Sequence, residues 1–269
     1  MDTAVVDGVT LEFEVRGAGE PVVFIHGALI ADTFRPMLTE PSLAKGYQLV
    51  LYHRRGYEGS SPVAGAIGLA EQAADCRAVL RRLGVTHAHI VGHSYGGCIA
   101  LQFALDYPAV VHSLALIEPA LAVGTTSEAY RNALVQGQQR FRKQPAADVV
   151  DGFLHARWGA GYSRAAVDGI VPGAFAQAVR DAATWFESEV SGWLDWHFGE
   201  PEAKRITQPA LAVLGGDSNA LWSRFGEVQD LLLRWIPRAE GVLIPATTHF
   251  LQMQEPAATA EALARFFMR

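Results

Sequence analysis

The strongest chemical signal in the sequence is a serine placed between glycines. The G-x-S-x-G pattern at residues 92–96 follows an apolar segment, residues 89–91, and precedes a segment with helical character. A sharp strand-to-helix turn of this kind strains the serine backbone and exposes its hydroxyl above the strand ends. The following helix offers free N–H groups and partial positive charge to a developing oxyanion. The pattern therefore predicts Ser94 as the nucleophile of an acyl-transfer reaction.

Two further segments could complete such a site. A serine hydroxyl needs an adjacent base to become a good nucleophile, and His249 lies where that base is required, in a loop after the last expected strand. Residues 26–29 end an earlier apolar strand, and their glycine allows the backbone to bend toward the serine. We expect the backbone amides of Ala28 and Tyr95 to form the oxyanion hole, and His26 to make structural hydrogen bonds.

The elements that must position these residues alternate between strands and helices. Continuous apolar runs indicate buried strands at residues 21–25, 47–52, 89–91, 114–117, 209–214 and 242–244. Helices are predicted at about residues 69–83, 95–105 and 256–267. Asp7-Gly8 is a turn signal, so residues 5–15 are expected to form a hairpin. The alternation predicts an α/β fold with a mainly parallel sheet and helices on both faces.

One long stretch interrupts this alternation. Residues 121–205 show helical patterns without a strong strand signal, and they hold four of the six tryptophans, Trp158, Trp185, Trp193 and Trp196. We therefore expect a helical insertion between two strands of one α/β core, which is formed by residues 1–120 and 206–269.

The combination of His26-Gly27, the 92–96 pattern and the late His249 resembles the α/β-hydrolase superfamily, in its serine-nucleophile branch. The resemblance covers nearly the whole chain. It implies the α/β-hydrolase fold, with residues 121–205 as a helical cap that sets specificity. The aromatic residues of this segment indicate an apolar or aromatic small-molecule substrate with limited charge.

The segment 52–61 is similar to the family's D-x-R-G-x-G-x-S stretch. It departs from that pattern at the leading aspartate, whose place is taken by Tyr52 or His53. Because that stretch is generally structural in the family, we expect Arg54 and Arg55 to anchor the loop, since ion pairs and carbonyl hydrogen bonds are the common use of such arginines.

The resemblance leaves two positions open for the carboxylate that orients His249. Family members commonly carry an aspartate after the strand at residues 209–214, but the expected position holds Ser218, and Asp217 comes one residue early. Other branches place the acid after the preceding strand, where this chain has Glu118. We favour Glu118, because its longer side chain can reach across from a neighbouring strand end and a buried carboxylate requires a partner.

These features predict a serine hydrolase that cleaves an ester, lactone or similar carbonyl compound through an acyl-enzyme. A serine at this turn argues against the family's dehalogenases and epoxide hydrolases, which use aspartate there. The alternatives are a C–C bond hydrolase, a lyase or a perhydrolase on the same scaffold, and a non-catalytic receptor that binds a ligand in the pocket.

Composition agrees with a globular enzyme. Of 269 residues, 50% are hydrophobic and 19% are charged, which excludes intrinsic disorder. The formal charge of −6 and the absence of basic runs argue against nucleic-acid binding. The amino-terminal sequence lacks signal-peptide features and no apolar run is long enough for a membrane helix, so we expect a soluble, cytoplasmic monomer or homodimer. No metal-ligand or nucleotide-binding motif is present, and we expect neither metal nor cofactor.

Overall fold

A single sheet forms the centre of the computed structural model, which describes residues 1–6 and 8–269. Its eight strands are β1 (Asp2–Val6), β2 (Val9–Arg16), β3 (Glu20–Ile25), β4 (Tyr47–Tyr52), β5 (Ala88–His93), β6 (Val111–Ile117), β7 (Ala210–Gly215) and β8 (Ala239–Ile244). The order across the sheet is β1-β2-β4-β3-β5-β6-β7-β8. Strand β2 is antiparallel to β1 and β4, and all other neighbours are parallel.

The first two strands form the expected hairpin. Val6 pairs with Val9, so the connection has two residues. Asp7, on which the turn prediction depended, lies outside the described residues. Gly8 has a φ of +81°, a conformation that glycine adopts without steric cost.

Helices cover both faces of the sheet. They are α1 (Pro41–Ala44), α2 (Leu69–Arg82), α3 (Tyr95–Asp106), α4 (Ser127–Phe141), α5 (Ala146–Trp158), α6 (Arg164–Ile170), α7 (Ala174–Arg180), α8 (Val190–Leu194), α9 (Glu200–Ala203), α10 (Ser218–Leu221), α11 (Arg224–Trp235), α12 (Leu251–Gln254) and α13 (Pro256–Phe267). A π-helical segment spans Thr184–Glu189, and 3-10 turns span Arg35–Thr39, Pro108–Val110 and Gly124–Thr126. Within the described chain, none of these helices has both the length and the apolar character needed to cross a bilayer.

Alternate residues of the central strands enter different cores. In β3, Val23 and Ile25 pack with residues of α2 and α3 on one face, whereas Val22 and Phe24 pack with residues of α1 and α13 on the other. This is the pattern that a parallel sheet buried on both faces requires, and it explains the continuous apolar runs in the sequence.

The helical insertion, residues 121–205, leaves the sheet after β6 and returns to it before β7. Its regular elements in the described structure are helices α4 to α9, the π-helical segment and the 3-10 turn at Gly124–Thr126. Trp193 is buried and its indole N–H donates to the carbonyl of Ala120 at 3.0 Å. This bond ties the insertion to the carboxyl end of β6.

Candidate active site

Ser94 lies at the turn between β5 and α3. Its φ of 53° and ψ of −118° are strained for a residue with a side chain, and its amide donates to the carbonyl of Ile117 at 2.9 Å. A Cβ atom on Gly96 would lie 2.1 Å from the carbonyl oxygen of Ile25, and one on Gly92 would lie 2.4 Å from that of Gly96. Both glycines are therefore required by close backbone approach, which explains their spacing around the serine.

His249 and Glu118 meet at the same edge of the sheet. His249 lies between β8 and α12, and its Nδ1 is 2.7 Å from Oε2 of Glu118, the residue that follows β6. The other carboxylate oxygen, Oε1, accepts the amide N–H of Gly215 at 2.8 Å. Because a carboxylate only accepts, the ring proton of His249 belongs on Nδ1, and Nε2 is left as the base.

Of the two acids that the sequence left open, the structure brings Glu118 to His249. Asp217 is exposed immediately before α10, and its backbone amide donates to the carbonyl of Thr247 at 2.8 Å. Ser218, which occupies the position expected for an aspartate, is fully buried.

Burial shifts both members of the Glu118–His249 pair toward their neutral forms. Desolvation, reinforced by the positive charges of Arg157 and Arg224, holds the pKa of His249 well below its ordinary value. Burial raises the pKa of Glu118 to about 7, although the Gly215 amide opposes this rise. A neutral imidazole is the form that accepts a proton, so the lowered pKa of His249 keeps it available as a base.

The two amides predicted for the oxyanion hole lie beside the serine. Ala28 and Tyr95 are buried, and neither N–H has a hydrogen-bond acceptor among the described residues. A Cβ atom on Gly27 would lie 3.1 Å from that of Ser94, so the loop carrying Ala28 packs directly against the turn. Both amides are therefore free to receive a ligand oxygen near the serine.

A buried arginine holds that loop in place. Arg54 donates to the carbonyl oxygens of Gly27 at 2.8 Å and His26 at 3.1 Å, and it forms an ion pair with Glu189 of the π-helical segment. Nε2 of His26 accepts the amide of Arg54 at 3.1 Å, and burial holds the pKa of this histidine well below its ordinary value. Arg55 makes two 2.6 Å contacts with Asp75. These contacts are those expected of loop anchors.

Ser94 and His249 open into a cavity of about 310 Å³ between the sheet edge and the helical insertion. Its wall is polar and apolar in about equal measure, and its apolar part includes Leu134, Val149, Phe153, Trp185, Phe186, Trp222 and Phe225. Of the insertion's tryptophans, Trp185 alone is in this lining. Trp196 donates to Gln102 instead, at 2.7 Å.

The sequence patterns did not reveal the four charged residues of this wall, of which Arg140 and Asp148 are exposed and Arg157 and Arg224 lie deeper. Arg157 lies within α5, and Arg224 begins α11, a helix that was not among the predicted elements. A pattern signal was available for α11, because Phe225, Val228 and Leu232 recur at helical spacing and are buried. No such signal marked the arginines, since a lone arginine in a helix is normally a surface residue.

One cluster of potential metal ligands lies at the opposite edge of the sheet. Glu20, His89 and His112 each offer a ligand atom within 4.8 Å of the others. They lie near the amino ends of β3, β5 and β6, whereas Ser94 follows the carboxyl end of β5. This cluster could hold a metal ion, and the spacing of its members along the chain gave no motif that would have revealed it.

Comparisons with known proteins are consistent with this geometry. Residues 20–256 match the family model described as the alpha/beta hydrolase fold. The dihydrolipoyllysine-residue acetyltransferase component of an acetoin cleaving system from Cupriavidus necator is 32% identical over 54% of this chain, but the match spans only 39% of that protein. Fluoroacetate dehalogenase from a Burkholderia species is 28% identical over 97% of this chain and 91% of that protein.

Among solved structures, a thermophilic esterase from Thermogutta terrifontis superposes with a TM-score of 0.84. It is 19% identical, and the match covers 99% of this chain and 97% of that one. At this identity the likeness concerns the fold alone.

Proposed function

The chain belongs to the α/β-hydrolase fold family, and we propose that it is a hydrolase that cleaves an ester, lactone or similar carbonyl substrate through an acyl-enzyme on Ser94. The observation that carries the proposal is the 2.7 Å contact between the buried Glu118 and His249, which lines the same cavity as Ser94. A base with its orienting acid, next to a serine at a strained turn, is the arrangement that acyl transfer requires.

In the proposed reaction, Oγ of Ser94 attacks the carbonyl carbon while Nε2 of His249 takes the hydroxyl proton. The carbonyl oxygen becomes an oxyanion that the amides of Ala28 and Tyr95 stabilise, and Glu118 stabilises the imidazolium. Collapse of the tetrahedral intermediate breaks the bond to the leaving alkoxide, which receives the proton from His249. Water then attacks the acyl-enzyme with His249 again as base, so that the acid product leaves and the Ser94 hydroxyl is restored.

The position of the helical insertion supports our proposal that it acts as a cap over the active site. It supplies the greater part of the cavity wall opposite Ser94, and Arg54 joins it to the oxyanion loop through Glu189. Residues 1–120 and 206–269 would then form the core that carries the chemistry. One relative of this chain is named as a fluoroacetate dehalogenase. We propose an acyl-transfer reaction instead, because the residue at the turn between β5 and α3 is a serine, Ser94.

The test is ester hydrolysis by the wild type and Ser94→Ala, measured on a series of p-nitrophenyl esters. We expect the variant to lose at least about 10³-fold in kcat while keeping its thermal stability, since removing the nucleophile leaves only binding and the oxyanion hole. Ser42→Ala, in α1 and outside the cavity lining, is the matched control and should retain full activity. Wild-type rates in Ser94→Ala would refute the mechanism, and cleavage of diketones in preference to esters would favour a C–C bond hydrolase.

A further inference from the structure

Two arginines line the catalytic cavity without an acidic partner. Arg224 is only 2% exposed, and one of its terminal nitrogens, Nη2, donates to the carbonyl of Leu121 at 2.7 Å. Its Nε is buried and has no hydrogen-bond partner among the described residues. The guanidinium lies 3.8 Å from the ring centre of Tyr130, which offsets part of its charge without satisfying that donor.

Arg157, on α5, also lines the cavity, but its side chain is only partly buried. One of its terminal nitrogens donates to the carbonyl of Phe153 at 3.1 Å, and its guanidinium lies 3.5 Å from the centre of that ring. In the part of the chain that the structure describes, no carboxylate lies within 4 Å of Arg157 or Arg224. Burial lowers the pKa of Arg157 to about 10, and the positive charge of Arg224 adds to the effect. By contrast, the buried Arg54 is paired with Glu189.

The charges around these arginines leave one positive charge uncompensated. The carboxylate that faces them from the sheet edge is Glu118, which lies behind His249 and offsets one guanidinium in part. Arg140 and Asp148 also line the cavity, but both are exposed at its mouth and have opposite charges. The interior therefore favours a ligand with one negative charge.

A second buried donor without a partner, after Nε of Arg224, points to the same kind of ligand. The indole N–H of Trp185 is buried and has no acceptor among the described residues, and Trp185 lines the cavity. Unsatisfied buried donors are costly, and each of these could be satisfied by an oxygen of a bound anion. The guanidinium group matches a carboxylate in geometry, because its planar donors can bind both oxygens at once.

We propose that the substrate carries a carboxylate group in addition to the bond that is cleaved, and that Arg157 and Arg224 bind this carboxylate. The inference rests on the proposed hydrolase function and specifies its substrate class: a small monoanionic ester or lactone with an aliphatic or aromatic body. The 310 Å³ cavity, whose wall combines apolar and aromatic side chains with the two arginines, suits such a molecule. The substrate expected from the sequence, apolar and with limited charge, thereby gains one anionic end.

The first experiment compares two substrates that differ only in this charge. Mono-p-nitrophenyl glutarate has a free carboxylate, and its methyl ester has none. We expect kcat/KM of the wild type to be about 10- to 100-fold higher for the free acid, the size of one or two charge-assisted hydrogen bonds. Arg157→Gln should remove most of this preference, and Arg224→Gln provides a second variant if the first folds poorly. Arg142→Gln, an exposed arginine beyond α4, should leave the preference unchanged.

The second experiment measures binding without turnover. Glutarate is titrated into Ser94→Ala and followed by tryptophan fluorescence and by the shift in Tm, with glutaramide and inorganic phosphate as comparison ligands. We expect glutarate to bind, glutaramide to bind at least about tenfold more weakly, and Arg157→Gln to abolish the difference.

The outcomes separate this inference from the proposed function. Ester hydrolysis with equal kcat/KM for the acid and the methyl ester, and no glutarate binding, overturns the carboxylate site and leaves the hydrolase mechanism in place. Glutarate binding that depends on Arg157, without hydrolysis of either ester, supports the site and refutes the mechanism. Tighter binding of phosphate than of glutarate overturns the assignment to a carboxylate.

Discussion

Replacing Glu118 with glutamine should disable the site by disturbing two hydrogen bonds at once. The carboxylate accepts the Gly215 amide on one oxygen and the His249 ring proton on the other. A glutamine has one acceptor oxygen, so it can satisfy only one of these donors. If its oxygen faces Gly215, its NH₂ group faces Nδ1 of His249 and forces the ring proton onto Nε2, where the base is required.

The size of the loss follows from this geometry. In the active orientation, the glutamine oxygen accepts the His249 ring proton, and its NH₂ group faces the Gly215 N–H. Placing these two donors against each other costs about 1–3 kcal/mol, which reduces the active population about 10- to 100-fold. Loss of the negative charge opposite the imidazolium costs roughly 3–4 kcal/mol at an effective dielectric of about 20, or at least a further 10²-fold. We therefore expect kcat to fall about 10³- to 10⁴-fold, close to the effect of the analogous change in a serine protease.

The assay is steady-state p-nitrophenyl ester hydrolysis by Glu118→Gln and Asp217→Asn, with Tm measured for each. Asp217 is exposed and should lose less than about threefold in activity, because its carboxylate does not orient His249. A larger loss in Asp217→Asn than in Glu118→Gln would refute the assignment of the acid. A small loss in Glu118→Gln with an unchanged pH profile would show that the carboxylate has no electrostatic role.

Three further predictions concern the titration of the acid, the turn and the loop anchor. Because Glu118 acts as a carboxylate and burial raises its pKa to about 7, kcat/KM should rise between pH 6 and 8 with an apparent pKa near 7 for the coupled pair. Gly96→Ala should abolish activity and lower Tm, since its Cβ would meet a backbone oxygen at 2.1 Å, whereas Gly152→Ala, with no atom within 4 Å, should keep or raise Tm. Glu189→Ala should lower the free energy of unfolding by about 3–5 kcal/mol, because it leaves Arg54 charged and buried without its partner.

Each of these has an outcome that contradicts it. A flat kcat/KM profile from pH 5 to 9 would contradict the raised pKa of Glu118. An active, stable Gly96→Ala would show that the turn can open by more than the structure allows. Glu261→Ala, which removes an exposed ion pair, is the comparison for Glu189→Ala. Equal free energies of unfolding for the two variants would show that the buried Arg54–Glu189 pair contributes no more to stability than an exposed pair.

Local patterns predicted the parts of the fold that local physics determines. The apolar run at residues 47–52 is strand β4, and the helix predicted from Pro256 to Phe267 is α13 with the same bounds. The first is buried on both faces at every position except Gln48, as its apolar run predicts, and the second begins where proline is tolerated. The strand-to-helix turn at Ser94 was predictable for the same reason, since its glycines are required by contacts close in sequence and in space.

The choice between Glu118 and Asp217 was not determined by local pattern. Glu118 contacts Gly215, 97 residues away, and His249, 131 residues away. Those contacts depend on β6 and β7 lying side by side, which the chain's order of elements does not specify. The cavity arginines were not predictable for a related reason: an arginine that lines a cavity without an acidic partner looks the same in the sequence as a solvated one, and only the packed structure distinguishes them.

Backbone strain marks the functional edge of the sheet independently of any motif. In the described chain, four of the five non-glycine residues with positive φ are Leu29, Ser94, Glu118 and Ala246, which follow β3, β5, β6 and β8. Such conformations cost about 1–3 kcal/mol each and persist only where the surrounding structure enforces them. Each lies at or next to a proposed role: the oxyanion loop, the nucleophile, the acid and the loop that carries the base. Since stability alone would remove these conformations, their concentration at one edge argues that this backbone is held for the placement of the catalytic groups.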